Sequence, residues 1–251
     1  MMPKSHLSAS QINMFLRCPM QYKFRYVDGI ILPPTTALTK GKTVHEGVEY
    51  NYTQKKDTKK DLPVEEVKEY TAHKFEEMKD ETDWGKNDPN TVKDKSINLV
   101  ELYHTEIAPA IIPQAVEERV EITFDNTNYS LLGYIDVIDQ HSFIRDTKTT
   151  GRTPKQNDLK TNLQLTVYSL AYRTMTGEQE GGVALDYLVD TKQPKIAQFE
   201  EHRTDEDIRK FQKLMGIVAH NIECENYYPN PTNFMCSPSN CGYWELCEKE
   251  W

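Results

Sequence analysis

The sequence predicts a mixed α/β domain in which a sheet of short strands is flanked by helices. Three observations predict it. Helical patterns dominate the first part of the chain, alternating residues and turn signals set in at Gln114, and a long helical stretch then links that meander to a further apolar strand. At 251 residues the chain is long enough for one substantial domain, or for a core with a helical insert, and it shows no internal repeat.

Taken in order, Ser8 offers a hydroxyl cap to a helix with Ile12, Phe15 and Leu16 at helical spacing. Pro19 suits the first turn of a second short helix reaching Tyr26. Pro33-Pro34 marks a loop, and Thr39 to Gln54 reads as a helix containing His45. Glu65 to Lys79 and Thr91 to Ile107 are further, strongly charged helices, so 55–113 is expected to be a helical insert or lid. Val120 to Phe124 alternates, Asp125, Asn126 and Asn128 supply turn residues, Tyr129 to Ile138 returns as a second strand, and Ser142 to Lys148 follows as a third. Lys155 to Met175 is expected to form one long amphipathic helix ending at Gly177. Val183 to Val189 and Ile196 to Glu200 read as strands and Asp205 to Glu223 as a helix, while the tail from Tyr227 is irregular.

Hydrophobic residues at 37% and aromatics at 10% separate the chain from disordered sequences. No apolar run is long enough to span a bilayer, and Met1 to Ser10 lacks the apolar core of a secretory signal. A cytoplasmic protein with no membrane partner is expected. The formal net charge of −9 counts against a nucleic-acid binder if taken in bulk. Its distribution differs, since from Met1 to His45 Lys4, Arg17, Lys23, Arg25, Lys40 and Lys42 are opposed only by Asp28, and a second basic stretch runs from Arg145 to Arg173. Solvated faces look the same, so charge alone does not decide. Of the five cysteines, Cys18 stands alone near the start and Cys236, Cys241 and Cys247 crowd the tail, with Cys224 between. In an intracellular chain such thiols favour metal or catalytic uses over disulfides.

The third strand is the most informative segment. With a period of two, Ile144, Asp146 and Lys148 share one face, while Phe143, Arg145 and Thr147 share the other. The preceding strand carries another lone carboxylate, Asp136, in an apolar run. Burying isolated carboxylates on neighbouring strands is costly unless a cation or hydrogen bonds compensate, and a divalent metal such as Mg²⁺ takes carboxylate oxygens readily. An Asp–Lys ion pair at the sheet end, with Asp136 capping a turn, is the plainer alternative.

Gly133-Tyr-Ile-Asp136, then Asp146-Thr-Lys148-Thr-Thr, then Gln164-Leu-Thr-Val-Tyr168 resemble the catalytic signature of the PD-(D/E)XK nucleases, in their RecB branch. Upstream, Leu7-Ser-Ala-Ser-Gln-Ile and Phe15-Leu-Arg-Cys18-Pro-Met-Gln-Tyr22 resemble that branch's N-terminal motif, and Gly41-Lys-Thr-Val-His45 its histidine motif. Only about Lys55 to Pro113 goes unmatched. The resemblance implies a restriction-endonuclease-like mixed central sheet flanked by helices. It implies a site in which His45, Asp136, Asp146 and the backbone carbonyl of Thr147 bind Mg²⁺ or Mn²⁺, while Lys148 orients or deprotonates the attacking water. Gln164 and Tyr168, four apart on one helix face, are then placed beside the site, with ordinary helix packing the alternative for both and a core or capping role the alternative for His45. Glu118 and Glu121 are set aside as the solvent-facing half of an edge strand.

One distant cysteine plus a C-terminal triplet resembles the iron–sulfur subgroup, which includes AddB-type helicase–nucleases and CRISPR-associated exonucleases. That implies a 4Fe–4S cluster held by Cys18, Cys236, Cys241 and Cys247, with Cys224 an ordinary thiol. A zinc ion on the same four thiolates is the alternative, since the subgroup's usual spacing puts two residues, not four, between the triplet's first two cysteines. The expected organisation is a single domain, 1–251, in which 1–36 and 226–251 form the cluster-binding part and 114–225 the catalytic core. The activity implied is a metal-dependent exonuclease acting on single-stranded DNA or duplex ends, with recombination or CRISPR adaptation proteins as partners. A non-catalytic DNA-binding or assembly subunit is the alternative, and the intact Asp136, Asp146 and Lys148 set argues against it.

Overall fold

A computed structural model places the sheet between two helical layers. It describes residues 6–125 and 127–251; Lys4 and Asn126, both named above, lie outside the described residues. The order is β1 (His6–Leu7), α1 (Ala9–Arg17), α2 (Pro19–Tyr22), α3 (Thr36–Thr58), α4 (Val64–Lys79), α5 (Pro89–Glu106), β2 (Pro113–Ile122), β3 (Ser130–Asp139) and β4 (Phe143–Thr150). There follow α6 (Gln156–Lys160), α7 (Leu163–Thr176), β5 (Gly182–Val189), β6 (Lys195–Glu201), α8 (Asp205–Glu223) and α9 (Trp244–Glu250). Among the described residues, no helix is long and apolar enough to cross a membrane.

The helix starts follow capping chemistry. Ser8 forms a reciprocal capping box with Gln11 ahead of α1, and Thr204 does so with Asp207 ahead of α8. Gly177, with φ of 75°, closes α7 in the left-handed region that glycine adopts at no steric cost.

The sheet is organised by β3. Along one edge it pairs antiparallel with β2, from Val116 opposite Val137 to Ile122 opposite Leu131. Along the other edge it pairs with β1 only at its start, His6 to Ser130, and with β4 only at its end, Val137 to Arg145 and Ile138 to Ile144. The described pairings leave 132–136 without a strand on that edge, so the sheet forks there. β4 instead continues in parallel register with β5, Asp146 opposite Leu185 and Lys148 opposite Tyr187, and β5 pairs antiparallel with β6.

Two apolar cores cover the two faces. Ile12 and Phe15 of α1, Leu165 and Ala171 of α7 and Phe211 and Met215 of α8 bury Leu131, Ile135, Ile144 and Leu185. On the opposite face, Val44, Val48 and Tyr52 of α3, Val67 of α4 and Leu99 and Tyr103 of α5 share a core with Val137 and Leu188. Each fully buried side chain of this size contributes roughly 1.5–3 kcal/mol. The stretch 55–113 therefore supplies α4 and α5 to the second layer. Gly47 lets those helices cross closely, because a Cβ there would lie 2.3 Å from Thr71 Oγ1 and 3.1 Å from Val100.

Three local expectations are corrected. β2 begins at Pro113 rather than Val120, because a register shift after Pro113 and the left-handed Glu117 (φ 49°) erase the alternation in its first half. The expected long helix from Lys155 is broken into α6 and α7. Asn162 caps the second piece by accepting from Leu165 N at 3.0 Å, and buried Arg203 donates to Leu159 O at 2.7 Å, satisfying a carbonyl the break leaves open. The tail, expected to be irregular throughout, ends in α9, which carries Cys247.

Candidate active site

The fork between β3 and β4 is where the chemistry-bearing residues meet. Asp136 lies on the stretch of β3 that pairs with β2 on one edge and, among the described pairings, with no strand on the other, and Asp146 is the first residue of β4 beyond its last pairing with β3. Asp146 is 1% exposed, and its Oδ2 is buried without a hydrogen-bond donor. Its other oxygen, Oδ1, accepts from Lys148 Nζ at 2.8 Å. Lys148 Nζ also donates to Gln164 Oε1 at 3.0 Å, and Gln164 Nε2 donates to Tyr168 Oη at 2.6 Å. A continuous polar chain thus runs from β4 to α7.

The opposite wall is α3. His45 Nε2 lies 2.9 Å from Asp136 Oδ2 and 3.4 Å from Glu117 Oε1, while Nδ1 lies 3.9 Å from Glu49 Oε2, one helical turn on. His45, Glu49 and Glu117 offer ligand atoms that lie within 4.8 Å of one another. Gly41 keeps α3 close to β4, since a Cβ there would sit 3.3 Å from Thr149 Oγ1.

Electrostatics follow from crowding carboxylates in a partly buried fork. Burial and the neighbouring Asp136 charge push the Asp146 carboxyl up to about 7 although Lys148 opposes the shift. Burial likewise raises Glu117 to about 7, helped by Asp136 and Glu49 and opposed by His45. Burial alone would discharge His45, but its bond to Asp136 and the nearby Glu117 raise it to about 9. Burial raises Asp136, yet the His45 bond and the Lys148 charge hold it below the usual carboxylate range. Burial works against the Lys148 ammonium, and Asp146 and Asp136 outweigh it. Burial drives the Tyr168 phenol far above its ordinary range, so it stays neutral.

This donor set fits a hard divalent cation: several carboxylates converge, Asp146 Oδ2 and Glu117 Oε1 are buried with nothing donating to them, and an imidazole stands beside them. A cation would relieve the mutual repulsion. The site opens into a cleft of about 670 Å³ whose walls include Ser10, Arg17, Tyr26, His45, Asp136 and Tyr168.

The structure therefore brings together Asp136, Asp146, Lys148, Gln164, Tyr168 and His45. Thr147 sits between Asp146 and Lys148 on β4, and its side chain is hydrogen-bonded to the buried Tyr103 on the other face of the sheet. Two acidic residues of the site, Glu117 and Glu49, escaped the sequence reading. Glu121 is tied to Arg119 and Ser130 on the surface. Glu117 is the residue across from Asp136, because Val116 pairs with Val137 and Glu118 with Ile135. Glu49 had a usable signal in its spacing of four from His45 on one helix. Within the basic stretch from Arg145, two members are tied to carboxylates: Arg145 pairs with buried Asp139 and Asp186, and Arg173 with Glu180 and Asp205.

The second group lies at the junction of the two chain ends. Cys18, Cys236, Cys241 and Cys247 line one cavity. Burial raises the Cys247 thiol, and Cys18, Cys241 and Cys236 add to the shift; Cys236 is raised by burial, Cys18 and Cys241. Gln21 Nε2 donates to Cys241 Sγ at 3.1 Å. Met20, Phe24 and Tyr243 pack around the group, Met20 N donates to Tyr228 O at 3.1 Å, and Tyr243 Oη donates to Ile30 O at 2.8 Å. Cys224 is exposed at the end of α8, beside His220.

Comparison with known proteins adds four findings. The family model described as the PD-(D/E)XK nuclease superfamily matches residues 6–248. The crystal structure of a protein from Eubacterium rectale named "Putative exonuclease" is similar with a TM-score of 0.64, at 13% identity, over 99% of this chain and 89% of that one. The structure of the protein SSO0001 aligns over 90% of this chain and 91% of that one at 12% identity, but its TM-score of 0.39 is too low to bear on the fold. No protein of curated function matches the chain.

Proposed function

The chain belongs to the PD-(D/E)XK nuclease superfamily, with its restriction-endonuclease-like fold, and from this premise we propose that it is a Mg²⁺- or Mn²⁺-dependent deoxyribonuclease of the RecB-like branch. The observation that carries the reading is the convergence of Asp136, Asp146 and Lys148 at the fork, with Asp146 Oδ2 buried and lacking a donor. Asp136, Asp146 and His45 would hold the cation, joined by the Thr147 carbonyl on the same strand. When bound, it would lower the pKa of a water and offset charge gathering on the phosphate.

The chain's own groups do the rest. Lys148, held by both Asp146 and Gln164, directs an ammonium toward the phosphate oxygen and the attacking water. Tyr168, kept neutral, fixes Gln164 and through it Lys148. Tyr26 and the half-exposed Tyr134 line the cleft and offer faces on which unpaired bases stack, which favours single strands or frayed ends as substrate and exonucleolytic action. A cytoplasmic setting and partners in recombination or CRISPR adaptation belong to the same reading.

The four cysteines are read as ligands of a 4Fe–4S cluster that clasps 1–36 to 226–251 and leaves 114–225 as the catalytic core. The donor from Gln21 to a sulfur and the apolar packing suit a thiolate-ligated metal centre in this cavity. The test is cleavage of end-labelled linear DNA in Mn²⁺. Wild-type protein degrades it and Asp146→Ala, folded by circular dichroism, does not; equal activity in both removes the site assignment.

A further inference from the structure

Arg17, the last residue of α1, stands between the two sites. It lines both the cleft at the metal site and the cavity of the four cysteines. Its Nε donates to Gln21 Oε1 at 3.1 Å, and Gln21 Nε2 donates to Cys241 Sγ at 3.1 Å. Its backbone carbonyl accepts from Asn230 Nδ2 at 3.0 Å, so the tail of the chain also holds it in place.

Charge makes this position unusual. Arg17 is the only lysine or arginine among the described residues that line the cleft, whose floor carries Glu117 and Asp136. Among the described residues no acidic side chain pairs with Arg17, whereas Lys23, Lys40, Arg145 and Arg173 are each committed to a carboxylate. A phosphodiester strand entering a cleft of an otherwise acidic protein needs a cation beyond the catalytic floor. A guanidinium presents a planar fork that matches two phosphate oxygens. The bond from Nε to Gln21 restrains the guanidinium of a residue that lines the cleft, and it does not use the two outer nitrogens.

We propose that Arg17 is an anion-binding residue that grips a backbone phosphate of the substrate strand, and that the chain Cys241–Gln21–Arg17 sets its orientation, so that the cysteine site positions substrate. This rests on the reading of the chain as a DNA nuclease. The full-length protein as purified is titrated into a labelled single-stranded oligodeoxynucleotide in Ca²⁺, by fluorescence anisotropy across a salt series. Arg17→Ala is expected to weaken binding on the order of tenfold and to reduce the slope of log K against log salt by about 0.7, one phosphate contact on a single strand. Arg17→Lys should keep the slope and recover part of the affinity. Gln21→Leu, which removes both bonds at nearly constant volume, should weaken binding severalfold alone and add nothing in the Arg17→Ala background. Wild-type binding that Arg17→Ala leaves unchanged in affinity and slope overturns the Arg17 assignment, and a Gln21→Leu effect that simply adds to Arg17→Ala overturns the relay. A wild-type protein that binds no DNA overturns the nuclease reading itself.

Discussion

Lys148 Nζ donates to Gln164 Oε1 at 3.0 Å, joining the strand that carries Asp146 to the second residue of α7. The same ammonium bonds Asp146 at 2.8 Å, so Gln164 fixes the direction of a cation whose charge is already partnered. Removing the cation and removing its support should therefore differ in size. Lys148→Ala is expected to slow single-turnover DNA cleavage by roughly 10²–10³-fold at saturating Mn²⁺, and Gln164→Leu by roughly tenfold. Equal losses in the two variants would contradict this division of roles.

Metal binding should be linked to protons. In the metal-free protein His45 titrates at about 9, and Asp146 and Glu117 at about 7, so at neutral pH His45 carries a proton that a cation must displace. Mn²⁺ affinity is expected to rise from pH 6 to pH 9. Calorimetry in two buffers of different ionisation enthalpy should report net proton release at pH 7. The sign for stability is opposite. His45 is raised from 6.5, so in EDTA its ion pair with Asp136 stabilises fully below about pH 6.5 and that contribution fades as pH rises through about 9. The fall in Tm over that window should flatten in His45→Asn.

Much of this site was legible because its residues sit on short, regular segments. Asp146 and Lys148 are two apart on one strand, so their common face follows from the pleat, and Gln164 and Tyr168 share a helix face by spacing alone. Asp205–Glu223 was equally legible, since Thr204 and Asp207 write the cap into the sequence. What was not legible depends on long-range pairing. Glu117 joins His45 because β2 starts early and twists at a left-handed residue, which no local pattern announces. The break at Asn162 is sustained by Arg203, forty-one residues away, and α9 is held by contacts between opposite chain ends.

On the opposite face of the sheet, Arg145 is a structural residue. It pairs at 2.8 Å with Asp139, which is 1% exposed, and at 3.5 Å with Asp186, which is fully buried. Burial raises the Asp186 carboxyl while Arg145, Gln198 and Tyr103 pull it back. Arg145→Ala leaves both buried carboxylates without this cationic partner and is expected to cost roughly 3–5 kcal/mol in urea unfolding. A loss below about 1 kcal/mol, as for an exposed pair, would show that solvent reaches these groups.

The cysteine site predicts a coloured protein. Purified material should be brown, with broad visible absorption and four irons per chain, and Cys18→Ser should lose the colour. Closing a loop from residue 18 to the tail is worth on the order of 5 kcal/mol by analogy with disulfides, so the variant should also be markedly less stable. Colourless wild-type protein with one zinc per chain would replace the cluster by a tetrahedral zinc site.

The most direct measurement is an anomalous-scattering map from a crystal soaked in Mn²⁺. A manganese peak bound by carboxylate oxygens of both Asp136 and Asp146, with Lys148 beside it, is the result expected. Manganese bound elsewhere, with Asp146 paired to Lys148 alone and no peak at the fork, would contradict the account.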